Sequence, residues 1–200
     1  MNSKVMRNLS YGLFVVSTKN GEKDNGCICN TVCQVTTTPN VITLALNKQN
    51  FTTDEILKTG ILNVSIISQS ATFKIFERFG FTSGKTVNKF ENYSACSRGE
   101  NGVYYITEGV NSYFGAKVLS STDLGSHILF TCQVTEGEIL SSDESATYAY
   151  YFKNIKPKGE AKSQKKWRCA ICGYVYDGEN LPADYICPIC KHPASDFELS

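Results

Sequence analysis

Between Tyr11 and Val134, short apolar runs rich in Val, Ile, Thr and aromatic residues alternate with turn residues. YGLFVVST (11–18), CICNTVCQV (27–35), VITLAL (41–46), LNVSII (62–67), YFGAKVLS (113–120) and HILFTCQV (127–134) each have the length and β-branched content of a strand. Two stretches change period. Thr52-Thr53-Asp54-Glu55 has the form of a capping box, Ile56–Leu57 follows and Gly60 stops the run; this predicts a short helix capped by Thr52. ATFKIFERFG predicts a second, with Ile75, Phe76 and Phe79 on one face and Gly80 as terminator. Many short strands with few helices predict a mainly β fold, a barrel with helical insertions. No repeat is visible along the chain.

From Lys153 to Lys166 the periodicity disappears, and six lysines stand against one acid, with Pro157 and Gly159 among them. This predicts a body at 1–155, a Lys-rich linker at 156–166 and a small domain at 167–200. A flexible run of that length spans roughly 20 Å root-mean-square, which sets a neighbour's effective concentration at about millimolar.

Charge and composition narrow the class. With 200 residues, 42% hydrophobic and a net charge of +1, the chain reads as globular, with no general affinity for nucleic acid or membrane. The lysine run carries +5 and residues 167–200 carry −3, so a basic connector joins a near-neutral body to an acidic tail. MNSKVMRNLSYGLFVV lacks a cleavage pattern, and no apolar stretch reaches membrane-spanning length. Together with nine cysteines this points to a reducing cytoplasm, where thiols bind metal or stay free.

Four of those cysteines form the sharpest chemical signal. Cys169, Cys172, Cys187 and Cys190 make two Cys-x-x-Cys pairs separated by fourteen residues. Residues 167–200 are too few for a self-sufficient core, since chains below about 40 residues usually need a metal, a disulfide or a partner. Four thiolates supply a tetrahedral cage whose binding energy is folding energy. Gly173, directly after Cys172, permits the left-handed turn that aims backbone N–H groups at sulfur, and Pro188 stiffens the second knuckle. Spacing alone leaves zinc and iron open. The run WRCAICGYVYDG, then CPIC and the closing DFEL, resembles rubredoxin, above all the short type that ends rubrerythrins. That resemblance implies one iron on Cys169, Cys172, Cys187 and Cys190, carrying one electron, with Trp167, Tyr174, Tyr176, Tyr185 and Phe197 as a small aromatic core.

The body carries no GxGxxG and no GxxxxGK[ST]. Cys27, Cys29, Cys33, Cys96 and Cys132 lack metal-ligand spacing and read as buried or spare thiols. Asn47, Lys48 and Asn50 stand just before the first helix, whose free N–H groups favour an anion; the alternative is a capped helix, a solvated Lys48 and a turn at Asn47. The stretch N-T-V-C-Q-V-T (Asn30–Thr36), then N-K-Q-N-F-T (Asn47–Thr52), F-G-F-T-S-G-K (Phe79–Lys85), Lys89-Phe90, L-G-S-H-I-L-F (Leu124–Phe130) and T-Y-A-Y-Y (Thr147–Tyr151) is similar to the flavin reductase-like family of FMN-binding split barrels. The resemblance implies flavin contacts at Asn30, Thr31, Val32, Gln34 and Thr36. It implies phosphate contacts at Asn47, Lys48, Asn50 and Thr52, with Ser83 and Lys85 facing the same anion. It also places His127 near the flavin, as a catalytic or nicotinamide-contacting residue; a lone histidine heading a strand is otherwise a structural one. Ser126 stands where many relatives carry an acid.

Together the halves resemble the family of high-molecular-weight rubredoxins. This implies an electron-transfer oxidoreductase running from NADH or NADPH through FMN to iron, a flavodiiron-type acceptor, and a homodimer. An acidic face of Asp177, Glu179, Asp184, Asp196 and Glu198 would guide docking. Two alternatives stay open: a flavoredoxin-like relay without NAD(P)H activity, and a free-flavin or ferric reductase with a structural zinc ribbon.

Overall fold

The structure is a computed structural model that describes residues 3–157, 166–176, 178 and 180–199. Most of the expected linker and the acids Asp177 and Glu179 lie outside the described residues. The chain divides into two compact units, Ser10–Pro157 and Met1–Leu9 with Lys158–Ser200.

The larger unit is built on one seven-stranded antiparallel sheet. Its strands are β1 (Phe14–Asn20), β2 (Lys23–Cys29), β3 (Cys33–Thr37), β4 (Asn40–Asn47), β5 (Ile61–Ile67), β8 (Val110–Asp123) and β9 (His127–Ile139), in the order β2-β1-β5-β8-β9-β4-β3. β2 and β3 are therefore opposite edges of the sheet, yet only Asn30–Val32 join them. Three residues reach at most about 10 Å, whereas seven flat strands would measure roughly 29 Å across. The sheet must curl until its edges come together at that link. Thr31 fastens the seam: its hydroxyl donates to Ala45 O at 2.8 Å and accepts from Ala45 N at 3.0 Å. The single strand expected at 27–35 is thus two strands. No Gly or Pro marks the break, although the chain bends at Asn30 and changes sheet edge over Asn30–Val32.

Inside the curl lies one core cluster, with Phe14, Val16, Leu44, Ile56, Leu62, Val64 and Phe130 among its members. A second cluster on the outer face joins Leu13, Val15 and Ile67 to Ile75, Phe76 and Phe79 of α2 (Phe73–Gly80) and to Tyr151. The expected apolar face of α2 is the buried one, although its cap is Phe81 in right-handed geometry rather than Gly80. Helix α1 (Phe51–Thr59) ends as expected at Gly60 in the left-handed region, φ 68°. Its start differs. Asn50, not Thr52, is the cap, accepting from Thr52 N, and Glu55 turns away to accept from Asn20 and Lys58. A capping box fails here because Thr52 is already inside the first turn and fully buried.

The hairpin of β8 and β9 runs past the expected 113–120 and 127–134, since Ser120–Asp123 keep pairing with Ile128–Thr131. Polar side chains hide those ends from an apolar count. A small hairpin, β6 (Cys96–Arg98) and β7 (Tyr104–Ile106), was not expected. Nor was regular structure after Lys153: α3 (Tyr148–Tyr150) runs on as a π-helical turn, Tyr151–Ile155. The smaller unit is a three-stranded sheet in the order β11-β10-β12, from β10 (Trp167–Cys169), β11 (Val175–Tyr176) and β12 (Phe197–Leu199).

Candidate flavin site and metal centre

The turn into α1 is held by asparagines. Asn47 O accepts from Asn50 N at 3.0 Å and from the Thr53 hydroxyl at 2.8 Å, while Asn47 Oδ1 accepts from Gln49 N. Asn50 Oδ1 takes Thr52 N at 3.2 Å. The buried Thr52 hydroxyl accepts from Asn25 Nδ2 on β2 at 3.0 Å. Asn25 Oδ1 is buried with no hydrogen-bond partner among the described residues. A methyl group on Gly84 would lie only 2.1 Å from that oxygen. The loop Ser83-Gly84-Lys85 therefore rests directly on Asn25, and Asn25 rests on Thr52. In this way Asn50, Thr52, Ser83 and Lys85 share one neighbourhood although more than thirty positions separate the two segments. The positive end of a helix, a hydroxyl and an ammonium suit an anion such as a phosphate monoester.

Lys48 points elsewhere. Its ammonium pairs with Asp123 at 2.6 Å, with both side chains about half exposed, and holds the Asp123 carboxyl below the usual carboxylate range. This pair ties the β4–α1 turn to the β8–β9 turn, as does Lys48 N donating to Ser126 O. His127 sits on that second turn, paired with Asn47 across β4 and β9, and its Nδ1 is 2.8 Å from the Ser126 hydroxyl. A serine thus takes the place an acid would have held.

Along the seam Asn30, Thr31 and Val32 are half-buried, whereas every residue of β3 is exposed. Gln34 donates to Asn40 Oδ1 at 2.9 Å and Thr36 to Pro39 O at 2.6 Å. A register shift between Gln34 and Thr36 marks a bulge at Val35.

Two participants escaped the sequence reading. Asn25 lay in a polar stretch with no motif, and nothing marked it as buried. Lys89 was noted beside Phe90 but given no role. It is 3% exposed, and its ammonium donates to Gly26 O at 2.8 Å and Phe79 O at 3.1 Å. Burial holds its pKa below the ordinary lysine value, and no described carboxylate pairs with it. Phe79 belongs to the last turn of α2, whose free carbonyls and negative dipole end offset part of that charge. Among the body thiols Cys33 is exposed, while burial pushes Cys27 and Cys132 up to about 12 and raises Cys29 and Cys96 as well.

The smaller unit closes around four sulfurs. Cys169, Cys172, Cys187 and Cys190 place their Sγ atoms within 4.8 Å of one another, with Cys169–Cys190 and Cys172–Cys187 at 3.5 Å. Tetrahedral ligands at about 2.3 Å from an ion stand about 3.8 Å apart, so the cage fits one metal. Each knuckle turns through a left-handed residue just after its second cysteine. Gly173 has φ 78°, as expected, and Lys191 has φ 62° in the equivalent place. Backbone N–H groups point at sulfur: Tyr174 at Cys172, Ile189 and Cys190 at Cys187, His192 at Cys190. Burial raises the Cys187 thiol, but these donors outweigh it and bring it down to about 7, while burial pushes Cys172 up to about 12. Four thiolates this close ionise together only around a cation. Cys169, Cys187 and Phe197 are buried, with Trp167, Tyr174, Tyr176 and Tyr185 packed against them.

Comparison with known proteins agrees with both halves. Residues 6–159 match the flavin reductase like domain, and residues 167–198 match the rubrerythrin, rubredoxin-like domain. The chain is 32% identical to the high molecular weight rubredoxin of Moorella thermoacetica, over 99% of each chain. It is also 32% identical to the ferric-chelate reductase (NAD(P)H) of Archaeoglobus fulgidus, over 80% of this chain and 93% of that one. The flavoredoxin of Methanosarcina acetivorans shares the fold, with a TM-score of 0.59 at 17% identity, covering 68% of this chain and 75% of that one. No described helix is long and apolar enough to cross a membrane. The chain therefore belongs to the flavin reductase-like family, its flavin-binding reductase barrel fused to a rubredoxin-like domain with a four-cysteine iron site.

Proposed function

We propose that this chain takes electrons from NADH or NADPH on FMN held by the barrel and hands them singly to the iron of its own C-terminal domain. The observation that carries the reading is the presence, on one chain, of a flavin reductase-like barrel and a four-thiolate cage. FMN, when bound, accepts electrons as a hydride pair and releases them one at a time, and an iron on four thiolates holds one. The name of the Archaeoglobus relative, an NAD(P)H reductase aligned over most of its length, supports the donor. Domain limits of 1–155, 156–166 and 167–200 belong to this reading.

The residues divide the work. Asn50 at the start of α1, with Ser83 and Lys85, holds the FMN phosphate, and the buried Thr52 braces Asn25 beneath it; Asn47 sets the turn, and Lys48, paired with Asp123, ties that turn to the β8–β9 turn. Asn30, Thr31, Val32, Gln34 and Thr36 line the isoalloxazine and ribityl chain along the seam. Ser126 fixes the His127 ring beside the nicotinamide, where hydride transfer asks for orientation more than for a base. Cys169, Cys172, Cys187 and Cys190 bind iron, and their N–H donors stabilise the reduced, more negative cage. A wholly exposed edge strand with Val35 half exposed supports a homodimer that covers β3. The acceptor is a flavodiiron-type protein, met by the acidic side of the small domain, on which Asp184 is exposed. All of this takes place in the cytoplasm.

An anaerobic spectrum tests it. Adding NADH or NADPH to the FMN-loaded holoprotein should bleach the flavin band and then the ferric-thiolate bands, within one chain and independently of protein concentration. A flavin that bleaches while the iron stays oxidised, or an absent thiolate spectrum with zinc at full occupancy, refutes the reading.

A further inference from the structure

Each knuckle of the small unit carries a cation where its chain turns through the left-handed region. The same bond closes both turns, Gly173 N donating to Cys169 O and Lys191 N to Cys187 O, each at 2.9 Å. In the first turn the residue is glycine, φ 78°, and the Arg168 guanidinium lies against it. A methyl group on Gly173 would stand 3.2 Å from Arg168 Nη2 and 3.6 Å from its Nε. In the second turn the cation is the turning residue itself. Lys191 has φ 62°, and among the described residues only Asn92 shares that region without being glycine. Asparagine visits it through its short polar side chain, whereas lysine is strained there and glycine would not be. The turn therefore needs the geometry and not the lysine. Gly173 follows Cys172, which is exposed, and Lys191 follows Cys190, which is half-buried, while Cys169 and Cys187 are buried. One positive charge thus adjoins each of the two sulfurs nearest to water.

We propose that Arg168 and Lys191 are a cationic pair, one charge per knuckle, that raises the reduction potential of the iron centre and so draws the electron onto it. The inference rests on the reading above, in which that centre takes electrons singly, and names the residues that set how readily it does so. One electron enters, ferric iron becomes ferrous, no bond breaks and no proton moves. The four-thiolate centre is then one charge more negative, and a fixed cation favours the ferrous state through its attraction to that one charge. The pair works against its surroundings, since Asp184 and Glu198 are exposed and Asp196 is half-buried on the same unit. Glu198 faces Arg168 directly across β10 and β12. Opposite charges so placed offset one another, which leaves Lys191 the larger share.

Spectroelectrochemistry of the ferric-thiolate bands in the iron-loaded full chain tests this. Chemical mediators reduce the iron at fixed pH, so that NAD(P)H takes no part. One unit charge about one Debye length away, roughly 8 Å at physiological salt, shifts a one-electron equilibrium roughly 2- to 10-fold at a protein surface. That is a change of about 20–60 mV in midpoint potential. Lys191→Gln and Lys191→Gly should each lower the potential by that amount, Arg168→Gln should lower it by less, and Lys191→Arg should hold it. The shifts should shrink at about 1 M salt, where the Debye length falls to about 3 Å. Lys191→Gly should also melt higher than Lys191→Gln, because only glycine relieves the turn. Unchanged potentials in both Lys191→Gln and Arg168→Gln overturn the proposal. So does a shift in Lys191→Gly that Lys191→Gln does not share, which would assign the effect to the backbone. A wild-type chain without ferric-thiolate bands refutes the iron reading and this proposal with it. Iron that ignores NADH and NADPH, while the potentials move as stated, refutes the donor reading and leaves the cations in their role.

Discussion

Gly84→Ala places the flavin reading under direct strain. Gly84 needs no left-handed backbone, so alanine adds only a methyl group, 2.1 Å from Asn25 Oδ1, 2.7 Å from its Cγ and 2.9 Å from its Nδ2. No real methyl group sits that close, and one partner must move. Asn25 is buried on β2 and hydrogen-bonded to Thr52, and freeing it would leave buried polar groups unsatisfied at about 1–3 kcal/mol. The loop is exposed at Ser83 and Lys85, so the loop yields. Stability should then fall by less than about 1 kcal/mol, as for most surface changes. Lifting the loop removes at least one charge-assisted phosphate contact, worth about 1.5–3 kcal/mol, so the FMN Kd should rise roughly 10- to 150-fold. Urea melts of the apoprotein and flavin-fluorescence titration read the two quantities separately. In the Asn25→Ala/Gly84→Ala protein the methyl group has room, and the second change should cost little beyond the first. FMN binding within twofold of wild type in Gly84→Ala would show that the loop takes no part in holding the phosphate.

Three further outcomes are expected. Cys190→Ser should abolish the ferric-thiolate bands and the bound iron by elemental analysis while leaving FMN affinity unchanged, because the small unit buries little besides Cys169, Cys187 and Phe197 and draws its folding energy from the ion; iron still bound one per chain would contradict this. Lys48→Ala should weaken FMN binding by no more than about fivefold, the ceiling for an exposed ion pair, whereas Thr52→Val, which orphans Asn25 Nδ2 beneath the phosphate, should cost tenfold or more; the reverse order by titration would relocate the phosphate. Cys132, up at about 12 when folded and near 9.0 when exposed, stays protonated in the fold between those values while the unfolded chain ionises, so stability falls as pH rises through that window. Cys132→Ala should flatten the decline in unfolding free energy from urea melts between pH 8 and 10 by up to about 1.4 kcal/mol per pH unit, and an unaltered slope would refute the burial argument.

Local pattern and long-range pattern carried different parts of this molecule. The four-cysteine cage was legible because its information is short-range. Two knuckles, a glycine after the first and a ring of aromatics fix the sulfurs almost alone, and the left-handed Lys191 shows that the second knuckle demands the same geometry even without a glycine. The barrel's strands were legible for the same reason, being apolar and β-branched. Its seam was not. Asn30–Val32 read as mid-strand because nothing local tells a residue that its two flanks pair with opposite edges of a sheet; only closure of the whole ring does.

The same reasoning explains Asn25 and Lys89. Each is polar, and neither lies in an apolar run, so composition puts it in water. Each is buried by elements far along the chain: Asn25 by Thr52 and the Gly84 loop, Lys89 by β2 and the end of α2. An uncompensated ammonium inside a protein is expensive, and two carbonyls with a helix end offset only part of it. The remaining charge lies at Gly26 O, next in the chain to Asn25, and so near the loop proposed to meet the phosphate. An anion bound above would recover some of that electrostatic cost, so FMN should stabilise the barrel by more than its bare contacts imply. Lys89→Met would remove the charge while keeping the length. If the buried cation contributes to binding, the variant should be as stable as wild type without flavin and should gain less in melting temperature when FMN is added. An equal gain in both proteins would leave Lys89 as a tie between β2 and α2 and nothing more.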